Sequence, residues 1–213
     1  MPRWSTRSPD ADRRLVDGLN QGDGEALGAL YDTYAEQLYD YCLSMMADAT
    51  AAADVVHDTF IDAGRRAPRM RDRLRLRAWL FAAARRRCLQ RGRVRGLSWN
   101  WAAGSAWLEE VLAADTGVTP GELRELVESA LGRMDFADQE LLLLTLRHGL
   151  TAAEVAVVIG QPARRTAALA GQARGHAEAA ITSELGAMSR RCVASNALVR
   201  ALHPADAPRE LAD

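Results

Sequence analysis

Lysine is missing from this 213-residue chain, in which all 27 basic residues are arginine. Alanine is abundant beside it, so the bias reads as GC-rich coding, and residue type alone assigns no arginine to bidentate recognition. Cysteine is scarce: Cys42, Cys88 and Cys192 lie far apart, are odd in number and form no CxxC or Cys/His cluster. That spacing argues against a disulfide framework and against a structural zinc. No stretch reaches the eighteen or so apolar residues that a membrane span needs. The opening MPRWSTRSPDADRR lacks the apolar core of a secretory signal. A cytoplasmic address without membrane insertion is expected. The four histidines, His57, His148, His176 and His203, are scattered. With no glycine-rich phosphate loop and no nucleophile elbow, the sequence offers no catalytic site, no metal site and no cofactor site.

What is present is a sharp segregation of charge beneath a formal net charge of -1. Residues 15–64 carry ten carboxylates and no arginine, among them Asp40, Asp54, Asp58 and Asp62. Residues 65–95 carry thirteen arginines against the single Asp72. The two blocks can neutralise each other, which would explain solubility. A positive charge this dense exceeds what a solvated face requires and favours a polyanion, with nucleic acid the obvious candidate.

Hydrophobic periodicity is helical throughout. Leu27, Leu30, Tyr31, Tyr34, Leu38, Tyr41, Cys42 and Met45 recur at three- and four-residue steps, predicting a helix with one buried stripe. A second helix is expected from about Thr50 to Arg66, with Val56, Phe60 and Ala63 inward and Asp54, Asp58 and Asp62 stacked on another face. Like charges at that spacing repel, so this helix gains from a basic cover. Pro68 ends it. A third is expected from about Leu76 to Arg91, with Trp79, Leu80, Ala83 and Ala84 inward. Residues 93–120 read as linker, although Trp99, Trp101 and Trp107 need something to pack on. The second half predicts helices over Glu122 to Met134, Ala137 to His148, Thr151 to Ile159 and Pro162 to about Leu185. Thr151 and Glu154 form a capping box, Gly160 supplies a tight turn, and Pro162 suits a first helical turn. That order is the layout of a helix-turn-helix.

Three segments in register resemble region 2 of the extracytoplasmic-function (ECF) sigma factors: GDGEALGALYDTYAEQLYDYCLSMM, ADVVHDTFIDAGRR and LRLRAWLFAAARRRCLQRGR. The segment ALGRMDFADQELLLLTLRHGLTAAEVAVVIG is similar to region 4 of that family. Together they cover about residues 22–185. The resemblance implies an all-α chain of two small helical domains, a sigma region 2-like bundle and a sigma region 4-like helix-turn-helix, joined by a linker. The expected divisions are an N-terminal arm (1–21), the first domain (22–96), the linker (97–120), the second domain (121–185) and a C-terminal tail (186–213). It also implies core RNA polymerase and promoter DNA as partners, with an anti-sigma factor or other regulatory protein beside them.

By the same resemblance, Asp54, Val55, Asp58 and Phe60 fall to core-polymerase binding. Arg71, Arg73, Arg75, Arg85 and Arg86 fall to the minus-ten DNA, where the arginines would neutralise phosphates. Trp79 joins them, although its helical spacing suits a core position better than a base-stacking one. In the helix-turn-helix, Arg164, Arg165, Thr166 and Arg174 are the DNA candidates. Here the chain departs from the family. QPARRTAALAGQAR places Ala167, Ala168 and Leu169 where the family presents hydrogen-bonding side chains to the major groove. Gly171 and Gly175 weaken the same helix by about 1 kcal/mol each relative to alanine. Met134-Asp135-Phe136 alters the family's Leu-Pro signature, and Arg86 and Gln90 replace its usual Asn and Asp. Two readings stay open: a working sigma factor with a weak upstream contact, or a sigma-like regulator whose region 4 docks a protein. A plain repressor would explain residues 122–185 but not the charged first half.

Overall fold

A computed structural model describes residues 9–66, 75–95 and 120–202, and every described segment of regular structure is helical. The first half contains α1 (Pro9–Asn20), α2 (Gly24–Met46), α3 (Ala49–Arg66) and α4 (Leu76–Arg95). The second contains α5 (Pro120–Leu131), α6 (Phe136–Leu142), which runs on as a π-helical turn over Leu143–Arg147, then α7 (Ala152–Ile159) and α8 (Ala163–Leu202).

The N-terminal arm expected over 1–21 is helix α1 across its described part. Asp10 and Asp12 sit in its first turn, where carboxylates complement the helix dipole. Val16 and Leu19 are buried against α2, and the buried Asp12 accepts a hydrogen bond from the Tyr34 hydroxyl. Gly18 makes the close crossing possible, because a Cβ there would stand 2.8 Å from that of Ala26. Asp23 then caps α2 by accepting from the Glu25 amide at 2.9 Å.

Helix α2 is the hub of the first half, with Leu30, Tyr34, Leu38, Tyr41, Cys42 and Met45 all buried. Each such side chain contributes about 1.5–3 kcal/mol of burial. Two members of the expected stripe lie elsewhere: Leu27 and Tyr31 are exposed, Tyr31 by 50%. The Tyr31 ring meets that of Phe60 of α3 at a tilt of 53° and a centroid distance of 4.9 Å. Asp48 starts α3 by accepting from the Ala51 amide. Val55, Val56, Phe60 and Ala63 then pack inward, as do Leu76, Leu80, Phe81, Ala84 and Cys88 of α4. The thiols of Cys42 and Cys88 meet in this core, where burial first and the neighbouring thiol second push the Cys42 pKa up.

In the second half, the run Leu141–Leu144 is buried on every side. Widening the helix there to a π-turn carries Arg147 and His148 inward, with the His148 amide bonded to the Leu143 carbonyl at 3.0 Å. The capping box is present: the Thr151 hydroxyl accepts from the Glu154 amide, and the Glu154 carboxylate accepts from the Thr151 amide at 2.8 Å. Gly160, in the left-handed region at φ 68°, turns α7 into α8. Helix α8 continues to Leu202 instead of ending near Leu185. Among the described residues, no helix is long and apolar enough to cross a membrane.

One hydrophobic cluster runs through both halves, from Val16 and Leu38 to Leu144, Val155 and Ala177. Helix α4 packs directly on α7. That junction decides where several of the expected functional side chains lie.

Candidate functional site

The acidic candidates divide by burial. Val55 and Phe60 lie in the core, while Asp54 and Asp58 stand on the outer edge of α3 with the exposed Ile61 beside them. A shallow groove of about 240 Å³ separates α2 from α3, bordered by Tyr31, Glu36, Tyr39, Val56 and His57. The expected stack of repelling carboxylates is relieved within the chain. Arg91 of α4 reaches Asp54 at 3.1 Å and Asp58 at 3.2 Å, and Arg87 reaches Asp62 at 2.5 Å. The two charge blocks thus partly neutralise each other across the α3–α4 packing. Asp54 keeps 61% of its side chain in water, so this pairing is worth well under about 1 kcal/mol and leaves the carboxylate accessible.

The arginines of α4 separate more sharply. Arg75, just before α4, and Arg86 are exposed, and Trp79 is half-buried against the core. Arg71 and Arg73 lie outside the described residues. Arg85 faces the second half of the chain, where its Nε and Nη2 donate to the two oxygens of Glu140 at 2.7 and 2.9 Å. The Tyr41 hydroxyl donates to the same carboxylate at 2.8 Å. Glu140 is only 3% exposed, so both bonds lie in a poorly solvated setting. Burial, followed by the charge of Glu140, holds the Tyr41 phenol well above its ordinary pKa. For Arg85, burial works against the charge, but the hydrogen bond and charge of Glu140 outweigh it and raise its pKa.

Further polar contacts cross the same junction. Arg147, fully buried on the π-turn, donates to Asp40 of α2, and His148 Nε2 lies 3.6 Å from the other Asp40 oxygen. The His148 ring packs edge-on to Phe81 and Tyr41. Arg77 of α4 donates to the His148 carbonyl, closing the end of the π-turn, and lies 3.7 Å from Glu154 of the capping box. None of Asp40, Arg77, Glu140 or Arg147 stood out in the sequence as a functional residue. Glu140 and Arg147 are i, i+7 neighbours on a strongly apolar segment, and that placement is the one signal that could have pointed inward.

In the helix-turn-helix, Arg164, Arg165 and Arg174 are exposed along α8, as are Ala167 and Ala168. Thr166 is not on that surface. Its side chain is fully buried and its hydroxyl donates to the Pro162 carbonyl at 3.2 Å, holding the first turn of α8. Tying α8 back to the α5–α6 turn and to α6, Arg133 pairs with Glu184, and His176 Nδ1 lies 2.6 Å from Asp138. Among the described residues, no group of carboxylates, histidines and cysteines has metal-binding geometry.

The chain is an acid-edged helical bundle backed by an arginine-rich helix and joined to a helix-turn-helix. The family model for sigma-70 region 2 matches residues 30–98. The RNA polymerase sigma factor NccH of Alcaligenes xylosoxydans xylosoxydans is 26% identical over 183 residues, covering 82% of this chain and 97% of NccH. The sigma factor CnrH of Cupriavidus metallidurans is 26% identical over 184 residues, covering 82% and 96%. The ECF sigma factor SigL of Mycobacterium tuberculosis is 38% identical over 71 residues, which is 33% of this chain and 40% of SigL. The solved structure of CnrH in complex with the cytosolic domain of CnrY shares the fold, with a TM-score of 0.55 at 23% identity, over 81% of this chain and 98% of that one. Residues 30–98 thus match sigma-70 region 2, and over most of its length the chain is similar to sigma factors of RNA polymerase.

Proposed function

We propose that this sigma factor docks on core RNA polymerase through the α2–α3 edge and holds the melted minus-ten strand with the arginines that precede and line α4. The reading rests on one observation above all: Asp54 and Asp58, though paired with Arg91, stay largely exposed on an edge that also carries the half-exposed Tyr31 and Ile61. Part-exposed aromatic and aliphatic groups near carboxylates suit a basic, partly apolar protein surface, which core polymerase would have to offer here. The exposed Arg75 and Arg86 would neutralise phosphates, together with Arg71 and Arg73 just before them in the sequence. Val55, Phe60 and Trp79 act by packing, as the supports of the surfaces they lie beneath.

Upstream DNA contact falls to Arg164, Arg165 and Arg174. Exposed Ala167 and Ala168 between them offer no hydrogen bond to a base edge, so this half contributes phosphate contacts and little sequence discrimination. That same pair favours the second reading, in which the helix-turn-helix docks a protein. A regulatory partner of the anti-sigma kind fits either version, CnrH itself having been solved in complex with the cytosolic domain of CnrY, and so does action in the cytoplasm, where the polymerase works.

The test is a pull-down with core polymerase. Asp54→Arg combined with Asp58→Arg should abolish association while the helical circular dichroism is unchanged; normal association by that variant refutes the docking assignment. In parallel, alanine at Arg71, Arg73 and Arg75 should reduce permanganate-reactive promoter opening and flatten its salt dependence.

A further inference from the structure

A chain whose helix-turn-helix exposes Ala167 and Ala168 has to find its sequence discrimination elsewhere, and the outer face of α4 is suited to that task. The arginines of α4 divide into two sets. Arg77, Arg85, Arg87 and Arg91 are held by acceptors of the same chain: the His148 carbonyl, Glu140, Asp62, and the pair Asp54 and Asp58. Arg75 and Arg86 are exposed, and so is Gln90. At 100° per residue these three fall within about 60° of one another around the helix, and the half-buried Trp79 lies between them on the same face. Gln90 follows Arg86 by one turn, about 6 Å along the axis.

Gln90 is chemically the odd member of that stripe. A guanidinium serves a phosphate equally well beside any base, so it positions a strand without reading it. A side-chain amide both accepts and donates, and it matches the N6 and N7 atoms of adenine, which donate and accept in turn. The aspartate that the family resemblance leads one to expect at this position could only accept. Among the described residues the Gln90 amide has no hydrogen-bond partner, so no internal bond is broken when it meets a base.

We infer that Gln90 is a base-reading residue of the first half, selective for an adenine of the separated minus-ten strand, while Arg75 and Arg86 hold the phosphates alongside it. This rests on the proposed role of the α4 arginines. The base it takes lies beyond the Arg86 contact, toward the C-terminal end of α4.

The experiment uses the full chain bound to core polymerase. A pool of DNA single strands with a randomised hexamer is selected for binding and sequenced, and fluorescence anisotropy then measures the preferred strand and its single-base variants. The wild type should favour adenine at one position by about tenfold over each other base, toward the low end for a bidentate amide–base contact. Gln90→Ala should lose that preference and keep those at the remaining positions. Gln90→Glu should lose adenine and favour cytosine there, because the cytosine N4 donates to a carboxylate. A redirected preference cannot come from general unfolding, and helical circular dichroism should be unchanged in both variants. A wild type without an adenine position would overturn the inference, as would either variant keeping the wild-type preference. Arg86→Ala is measured alongside and should weaken all sequences alike. If it does so while the Gln90 variants read as the wild type, only the base contact is lost; if Arg86→Ala changes nothing, the minus-ten assignment of α4 itself fails.

Discussion

Removing Arg147 gives a direct measure of how firmly the two halves hold. Its side chain is fully buried, and Asp40, to which it donates, is 8% exposed. Arg147→Ala strands the Asp40 carboxylate beside His148 in a poorly solvated pocket, and losing one partner of a buried pair costs about 3–5 kcal/mol. The chain has an escape, however: parting the junction returns Asp40 to water. The observed loss is therefore the smaller of two quantities, the cost of the stranded charge and the free energy of docking. If docking is the weaker, Arg147→Ala opens the chain and the urea midpoint of the first half barely moves. If the stranded charge is the cheaper, the chain stays closed and its melting temperature falls by roughly 6–20 °C, at about 2–4 °C per kcal/mol for a chain of this size. Replacing both partners, Asp40→Asn with Arg147→Met, should recover most of the stability in either case, because no charge is left unpaired. Urea denaturation followed by circular dichroism, with scattering on the same samples, reads both quantities. An Arg147→Ala chain that stays compact and loses less than about 1 kcal/mol would refute the reasoning.

Other consequences are simpler. Thr151→Ala removes one side of the capping box and should cost about 1 kcal/mol in a urea titration; no change would mean that Glu154 caps α7 without it. Gly18→Ala would gain up to about 1 kcal/mol of helix propensity on an open surface. At 2.8 Å from the Ala26 Cβ it should instead destabilise by about 1–3 kcal/mol, and a raised melting temperature would contradict the close crossing of α1 and α2. Alkaline pH should weaken the fold. Burial raises the pKa of both Cys42 and Tyr41, so the unfolded chain loses these protons first and stability falls as pH rises past their unfolded values of about 8.5 and 10. Urea midpoints at pH 8 and 10.5 test this; Cys42→Ala should flatten the earlier part of the decline, and a flat profile in the wild type would contradict it.

The helices announced themselves in the sequence wherever one face is apolar and the other charged. Helices α2, α3, α4 and α7 start and stop close to where periodicity, Pro68, the capping box and Gly160 put them. Helix α1 escaped because its apolar content is only Leu15, Val16 and Leu19 among charges, a stripe too narrow to register until Tyr34 and Asp12 are seen to meet. Leu27 and Tyr31 obey the helical period yet face water, since periodicity marks a side of a helix without saying what covers it.

The charges were harder to read than the helices, for a physical reason. A carboxylate that will meet water, an arginine of its own chain or a basic partner has the same sequence signature in all three cases. Asp54 and Asp58 belong to the first and second at once, Asp40 wholly to the second, and nothing in the spacing of the acidic block separates them. Arg85 and Arg86 make the point most sharply, as adjacent residues of one basic run on one helix. The 100° between them turns one into the junction toward Glu140 and leaves the other in solvent. A charge-rich chain with two halves can thus use the same type of side chain to close upon itself and to bind outside itself.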